Sequence, residues 1–190
     1  MLEIRWHGRG GQGAKTASLL LADVAFSTGW QVQGFPEYGP ERMGAPITAY
    51  NRLSQEKINV YSNIYKPNIV VVVDENLVET VDVTAGVKED GAIIVNTHRT
   101  PKEVKEMLGN YHGNIYTIDA AAISKRNIGK NVPNTPLLAA VVKVSNIMQP
   151  EDFFSNMHDS FAHKFASKPE VIQGNLNAIQ DAWKEVHKLV

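Results

Sequence analysis

The stretch Gly8-Arg9-Gly10-Gly11-Gln12-Gly13 joins two segments of different hydrophobic period, and that junction restricts the folds open to the chain. Ahead of it, residues 2–7 read as a short strand. Behind it, Ala14, Ala17, Leu20, Leu21, Val24 and Ala25 recur at helical spacing until Gly29, a C-terminal stop. A strand that feeds a helix through a glycine-rich turn opens an α/β unit, and such sheets place ligands at that turn.

The alternation continues. Residues 30–35 and 47–53 read as strands, and the apolar runs 69–73, 92–95 and 115–118 suit parallel strands covered on both faces. Thr100 is positioned to cap a helix over 101–108. Residues 136–147 and 151–165 look helical. Ser167-Lys168-Pro169-Glu170 has capping-box spacing ahead of a helix whose Ile172, Leu176, Ile179, Trp183, Val186 and Leu189 share one stripe. The expectation is an α/β fold, single-domain over residues 1–190: a mostly parallel open sheet with helices on both faces, Rossmann-like, with a helical C-terminal third.

Composition narrows the function classes. The 190 residues can bury one core unaided. Nineteen Lys and Arg against twenty Asp and Glu leave a net charge of −1, without the basic footprint of a nucleic-acid binder. There is no cysteine, which excludes thiolate catalysis, disulfides and a cysteine-held iron–sulfur cluster in this chain. His158 and His163 are five apart and would diverge on one helix, so no metal site is expected. The apolar run 137–142 is six residues, against roughly 20 for a membrane span. Met1-Leu2-Glu3-Ile4-Arg5 lacks the pattern of a signal peptide. A cytoplasmic protein with neither membrane nor nucleic-acid partner is expected.

Gly8, Gly10 and Gly13 satisfy G-x-G-x-x-G. Glycines let the main chain approach a ligand, and the free amides and dipole at the following helix favour a phosphate or carboxylate. Arg9 and Lys15 add positive charge, and Thr16 offers a hydroxyl. A bound dinucleotide also wants an acidic residue about 20 residues further on. Only Glu37 is near, inside a turn after Pro36. A turn that merely packs helix on sheet is the competing reading.

Three prolines and two glycines within residues 35–46 cannot hold a helix or a central strand. Glu37, Tyr38, Glu41 and Arg42 therefore sit on a stiff loop, expected beside the glycine-rich turn. Such a loop suits a binding surface, or is a solvated turn with an internal Glu–Arg pair.

Together, residues 4–17 and 35–46 closely resemble the gamma subunits of pyruvate:ferredoxin oxidoreductases and, more broadly, the gamma domains of 2-oxoacid:acceptor oxidoreductases. Asn51-Arg52-Leu53-Ser54, the run ending at Asp74 and Val132-Pro133-Asn134-Thr135-Pro136 extend the resemblance over most of residues 2–190. Met43 departs from it, since members often carry a second arginine there.

The resemblance implies a complex that converts pyruvate and coenzyme A to acetyl-CoA and carbon dioxide, reversibly, passing electrons to ferredoxin. Thiamine diphosphate, magnesium and 4Fe-4S clusters would lie in alpha, beta and delta-type partner subunits. The gamma chain would bind coenzyme A and pack against the thiamine-bearing subunits, with no catalytic residue and no activity alone. Gly8, Arg9, Gly10, Gly11, Gln12, Gly13, Lys15 and Thr16 would then receive coenzyme A phosphates. Pro36, Glu37, Tyr38, Gly39, Glu41, Arg42 and Gly44 would form an interface or substrate-proximal loop. Asn134 and Thr135 could join that surface, with helix capping the simpler role.

Other readings stay open at this point: a related 2-oxoisovalerate or 2-oxoglutarate enzyme, a stand-alone dinucleotide oxidoreductase, or a structural assembly module. Among the remaining residues, His7 is expected to meet a backbone partner and Trp183 to lie in the core or an interface. Asp74 would line a pocket or cap a helix. Lys125, Arg126 and Lys130 would be solvated or reach a phosphate.

Overall fold

The computed structural model describes residues 1–37 and 43–189. Its strands are β1 (Leu2–Arg9), β2 (Gln31–Pro36), β3 (Pro46–Ser54), β4 (Ile69–Val72), β5 (Ala92–Asn96), β6 (Asn114–Ile118) and β7 (His187–Lys188). Its helices are α1 (Ala14–Ser27), α2 (Leu77–Thr80), α3 (Pro101–Met107), α4 (Ala120–Ile128), α5 (Asn134–Ser145), α6 (Pro150–Lys164) and α7 (Pro169–Glu185).

One sheet holds these strands in the order β2-β3-β1-β4-β5-β6-β7. Strands β1, β4, β5 and β6 pair in parallel, β3 runs antiparallel to both β1 and β2, and β7 runs antiparallel to β6. β2 therefore points the same way as β1, and only β3 and β7 oppose the rest. The sheet is mixed, yet the α/β open architecture is the expected one. Because of these directions, the chain leaving β1, β2, β4, β5 and β6 emerges at one edge of the sheet, where open α/β sheets bind ligands.

Strand residues alternate between two cores, as the pleat requires. Ile4, Trp6, Ile69, Val71, Ile94 and Ile118 face the larger core, under α1, α4, α5, α6 and α7. Val70, Val72, Ile93, Val95 and Ile115 face the smaller one, under α2 and α3. Helices thus cover both faces of the parallel half. Behind the β2-β3-β1 half, the smaller-core face instead buries Arg5, His7, Tyr50 and Arg52. Loop carbonyls satisfy the two guanidiniums: Arg5 Nη2 donates to Val83 O at 3.2 Å and Ala85 O at 2.8 Å, and Arg52 Nη2 donates to Asn63 O at 3.2 Å. Arg52 also pairs with Glu3 across β1 at 2.9 Å. Left unpaired, a buried guanidinium would cost several kcal/mol.

On the larger-core side a buried polar tie fixes α1 to the sheet. Asn51 accepts from Trp6 Nε1 at 2.8 Å and donates to Ser18 O at 2.7 Å. Trp183 stacks on Phe153 with ring centroids 6.0 Å apart, a core role.

Several local expectations differ from the structure. Ser167 does not cap α7: Lys168 stands at the N-cap without a side-chain bond, and Lys168 N closes the turn onto Phe165 O at 2.8 Å. The capping box forms at Thr100 instead, completed by Glu103. The stripe of the last helix stops at Glu185. Beyond it the chain turns extended, and Leu189 N bonds Ile115 O at 2.9 Å, packing Leu189 on the smaller core. No helix among the described residues is long and apolar enough to cross a membrane.

Candidate functional site

The turn at the end of β1 presents a row of backbone donors. Gly11 and Gly13 have φ of 91° and 87°, a region that side chains adopt only with strain. A Cβ at Gly11 would meet nothing within 4 Å, whereas one at Gly13 would meet Asn134 Cβ at 3.4 Å. Gly13 is thus pressed against α5 while Gly11 faces open space. Helix α1 has no side-chain cap. The amides of Gly11, Gly13, Ala14, Lys15 and Thr16 have no partner among the described residues. Unpaired amides and the helix dipole together attract an anion.

The described end of the second loop, Gly44 and Ala45, lies against this turn, and β2 ends at the same sheet edge as β1. Gly10 N donates to Ala45 O at 3.0 Å and Gly44 N to Gly10 O at 3.2 Å, which prolongs the β1–β3 ladder beyond the Arg9–Pro46 pair. Pro36 ends β2 opposite Ala49, and Glu37 accepts from the Tyr50 hydroxyl at 2.7 Å. Burial, reinforced by that bond, raises the Tyr50 pKa and keeps the hydroxyl a donor. Tyr38, Gly39, Glu41 and Arg42, expected in this surface, lie outside the described residues.

Arg9 is engaged within the fold. Its Nε donates to Asp74 Oδ2 at 2.9 Å, and Gln12 Nε2 donates to the same oxygen at 2.9 Å. Gln12 Oε1 accepts from Arg9 N at 2.8 Å. Burial pushes the Asp74 pKa up, but bonds from Gln12, Asn76 and Arg9 outweigh it and hold the carboxyl below its ordinary value.

Two recesses flank Gly11 and differ in charge. One, about 420 Å³, is walled by Gln12, Asp74, Glu75, Asn96, Thr97 and Asp119. Its carboxylates disfavour a phosphate. The other, about 390 Å³, is walled by Gly10, Gly13, Lys15, Thr16 and Met43, and Lys15 is its cation among the described residues. From Thr16 a third recess of about 470 Å³ continues along α1, apolar through Leu19, Leu20, Val132, Phe161 and Phe165, with Lys130 and Lys164 on it.

Other residues singled out from the sequence take different places. Neither Asn134 nor Thr135 caps α5: Pro133 holds the N-cap position, Asn134 packs on Gly13, and Thr135 donates to Asn175 Oδ1 at 3.2 Å, joining α5 to α7. His7 Nε2 accepts from Arg5 Nε at 3.0 Å rather than meeting a backbone group. Burial, and then the Arg5 charge, lower the His7 pKa to about 4. Arg126 pairs with Asp181 and Glu185 at 2.7 and 2.6 Å. Among the described residues no three metal-ligating side chains converge.

Residues 3–185 match the family described as pyruvate ferredoxin/flavodoxin oxidoreductase. The chain belongs to that family. It is 42% identical over 185 residues to the pyruvate/ketoisovalerate oxidoreductases common subunit gamma of Pyrococcus abyssi, covering 97% of each chain. To pyruvate synthase subunit PorC of Thermotoga maritima it is 43% identical over 184 residues, covering 97% of this chain and 94% of the other. The crystal structure of the Thermotoga maritima pyruvate oxidoreductase subunit PORC superposes with a TM-score of 0.85 at 38% identity, covering 100% of this chain and 98% of that one. This member of the oxidoreductase family is of the gamma-subunit kind, one part of a multi-subunit 2-oxoacid oxidoreductase. The groups around Gly11 — backbone amides, an ammonium and a hydroxyl — are equipped to hold a ligand.

Proposed function

We propose that this gamma chain serves a pyruvate:ferredoxin oxidoreductase and supplies part of its coenzyme A site. The carrying observation is that the amides of Gly11 and of Gly13 to Thr16 have no partner among the described residues and lie at a recess whose cation, among those residues, is Lys15. Charge decides which side of Gly11 takes the phosphates: the Asp74 side repels them and the Lys15 side attracts them. The apolar recess that begins at Thr16 offers a track for the less polar remainder of such a ligand, with Lys130 and Lys164 available to a further anionic group.

Coenzyme A supplies the thiol that accepts the acyl group. The residues of this chain hold it, and their contribution is proximity and orientation. Thiamine diphosphate, magnesium and the iron–sulfur clusters belong, in this reading, to alpha, beta and delta-type subunits, through which ferredoxin is reduced. Pyruvate is favoured by the names of the relatives. One of them is named as common to pyruvate and ketoisovalerate oxidoreductases, which agrees with a gamma chain that does not itself select the 2-oxoacid.

The test is Lys15→Ala in the assembled complex, assayed with pyruvate, coenzyme A and ferredoxin. A lost charge-assisted bond of about 1.5 kcal/mol or more corresponds to about a tenfold rise in the KM for coenzyme A, with the KM for pyruvate unchanged. An unaltered KM for coenzyme A would refute the phosphate role, and a panel of 2-oxoacids tests the substrate.

A further inference from the structure

We propose that Asp74 is a positioning residue: it locks the glycine-rich turn and, through Arg9, clasps that turn to the Gly44 end of the second loop, so that the two segments meet coenzyme A as one surface. The proposal rests on the coenzyme A reading above. Its geometric part stands apart from that reading and concerns contacts only.

Among the described residues, both Asp74 carboxylate oxygens are occupied by donors. Oδ2 accepts from Arg9 Nε and Gln12 Nε2, each at 2.9 Å. Oδ1 accepts from Asn76 N at 3.1 Å and Asn76 Nδ2 at 2.9 Å. An amide at this position would set its own NH2 against donors whichever way it turned, so a carboxylate is the group that fits. The bonds reach in three directions. Gln12 fastens the middle of the turn, Asn76 fastens the chain after β4, and Arg9 passes the restraint on through Nη1 to Gly44 O at 3.2 Å. Beside that last bond, Gly10 and Gly44–Ala45 exchange the backbone bonds that prolong the ladder.

The clasp assigns separate duties to the two cations of the turn. Arg9 is neutralised by Asp74 and works structurally, while Lys15 remains for the ligand. Releasing the clasp frees Arg9 and relaxes the amides that face the recess. Positioning and simple charge balance then predict opposite results. If Asp74 served only to offset Arg9, its neutralisation would strengthen coenzyme A binding. If it positions the turn, its neutralisation weakens binding.

The experiment compares Asp74→Asn with the unaltered chain in the assembled complex, by two readouts. Hydrogen exchange at the amides of Gly10 and Gly44 is expected to accelerate at least tenfold. The KM for coenzyme A is expected to rise five- to tenfold, with the KM for the 2-oxoacid within twofold. Unchanged exchange overturns the clasp. Faster exchange with an unchanged or lowered KM for coenzyme A overturns the positioning role. Lys15→Ala, run alongside, separates this from the underlying reading: if it raises the KM for coenzyme A while Asp74→Asn does not, positioning fails and the phosphate role stands; if Lys15→Ala is silent, the phosphate role itself fails. Should Asp74→Asn not assemble, Arg9→Gln tests the clasp by exchange at Gly10 and Gly44, and the charge-neutral Gln12→Ala, which releases the turn from the same carboxylate, tests positioning by the KM for coenzyme A; an unchanged exchange rate overturns the clasp and an unchanged KM overturns the positioning role.

Discussion

His7 makes folding of this chain sensitive to mild acid. Its ring lies 7% exposed beside Arg5, whose Nε donates to His7 Nε2 at 3.0 Å. Protonation of that nitrogen would set donor against donor next to a guanidinium, and burial adds to the penalty. The folded-state pKa is accordingly lowered to about 4, against 6.5 for a free ring. Above pH 6.5 the ring is neutral in both states and nothing is lost. As pH falls through 6.5 the unfolded chain takes the proton first, so stability declines until the folded pKa near 4 is reached. At 1.36 kcal/mol per unit, a 2.5-unit difference amounts to about 3 kcal/mol. Carboxylates also contribute to acid sensitivity, so the assay is a comparison: urea unfolding of the parent and His7→Gln at pH 7.5, 6 and 4. Glutamine can still accept from Arg5 but cannot titrate. The parent should lose about 3 kcal/mol more than His7→Gln between pH 7.5 and 4. Equal losses in the two proteins would refute the burial-and-Arg5 account.

Other perturbations have distinct outcomes. Asn51→Ala leaves Trp6 Nε1 without its acceptor in the core and removes the bond that ties the sheet to the α1 carbonyl of Ser18, and it should destabilise the chain by about 2 kcal/mol in urea unfolding; a loss under 1 kcal/mol would contradict that tie. Thr100→Ala removes the capping box and should lower stability by about 1 kcal/mol, with the KM for coenzyme A unmoved. Gly13→Ala places a side chain at φ 87°, a strain of about 1–2 kcal/mol. It should raise the KM for coenzyme A while leaving that for pyruvate in place.

What could be read from the sequence was what neighbouring residues encode together. The strand–turn–helix of residues 2–27 and the apolar runs entering β4, β5 and β6 announce themselves through period and composition, and they set the fold class. The position of the described ends of the second loop also followed, since a chain leaving β2 must share the sheet edge with the turn after β1. The duty of Arg9 did not: its partner Asp74 is 65 positions away, and a charge beside a glycine-rich turn reads locally as a ligand contact. Asn134 and Thr135 have the chemistry of caps, but packing on Gly13 and Asn175 outweighs that preference. Leu189 continues a helical stripe in the sequence, yet the open edge of β6 claims the chain after Glu185. His7 is different. Strand alternation puts Arg5 and His7 on one face two residues apart, and that signal could have identified the pair.

The most direct measurement is hydrogen exchange on the assembled oxidoreductase during a titration with coenzyme A. Slowing concentrated in the amides of Gly11 and of Gly13 to Thr16, saturating together with the coenzyme A dependence of turnover, is the predicted result. If those amides exchange at the same rate with and without saturating coenzyme A while turnover responds normally, the ligand binds elsewhere and the account given for this chain is wrong.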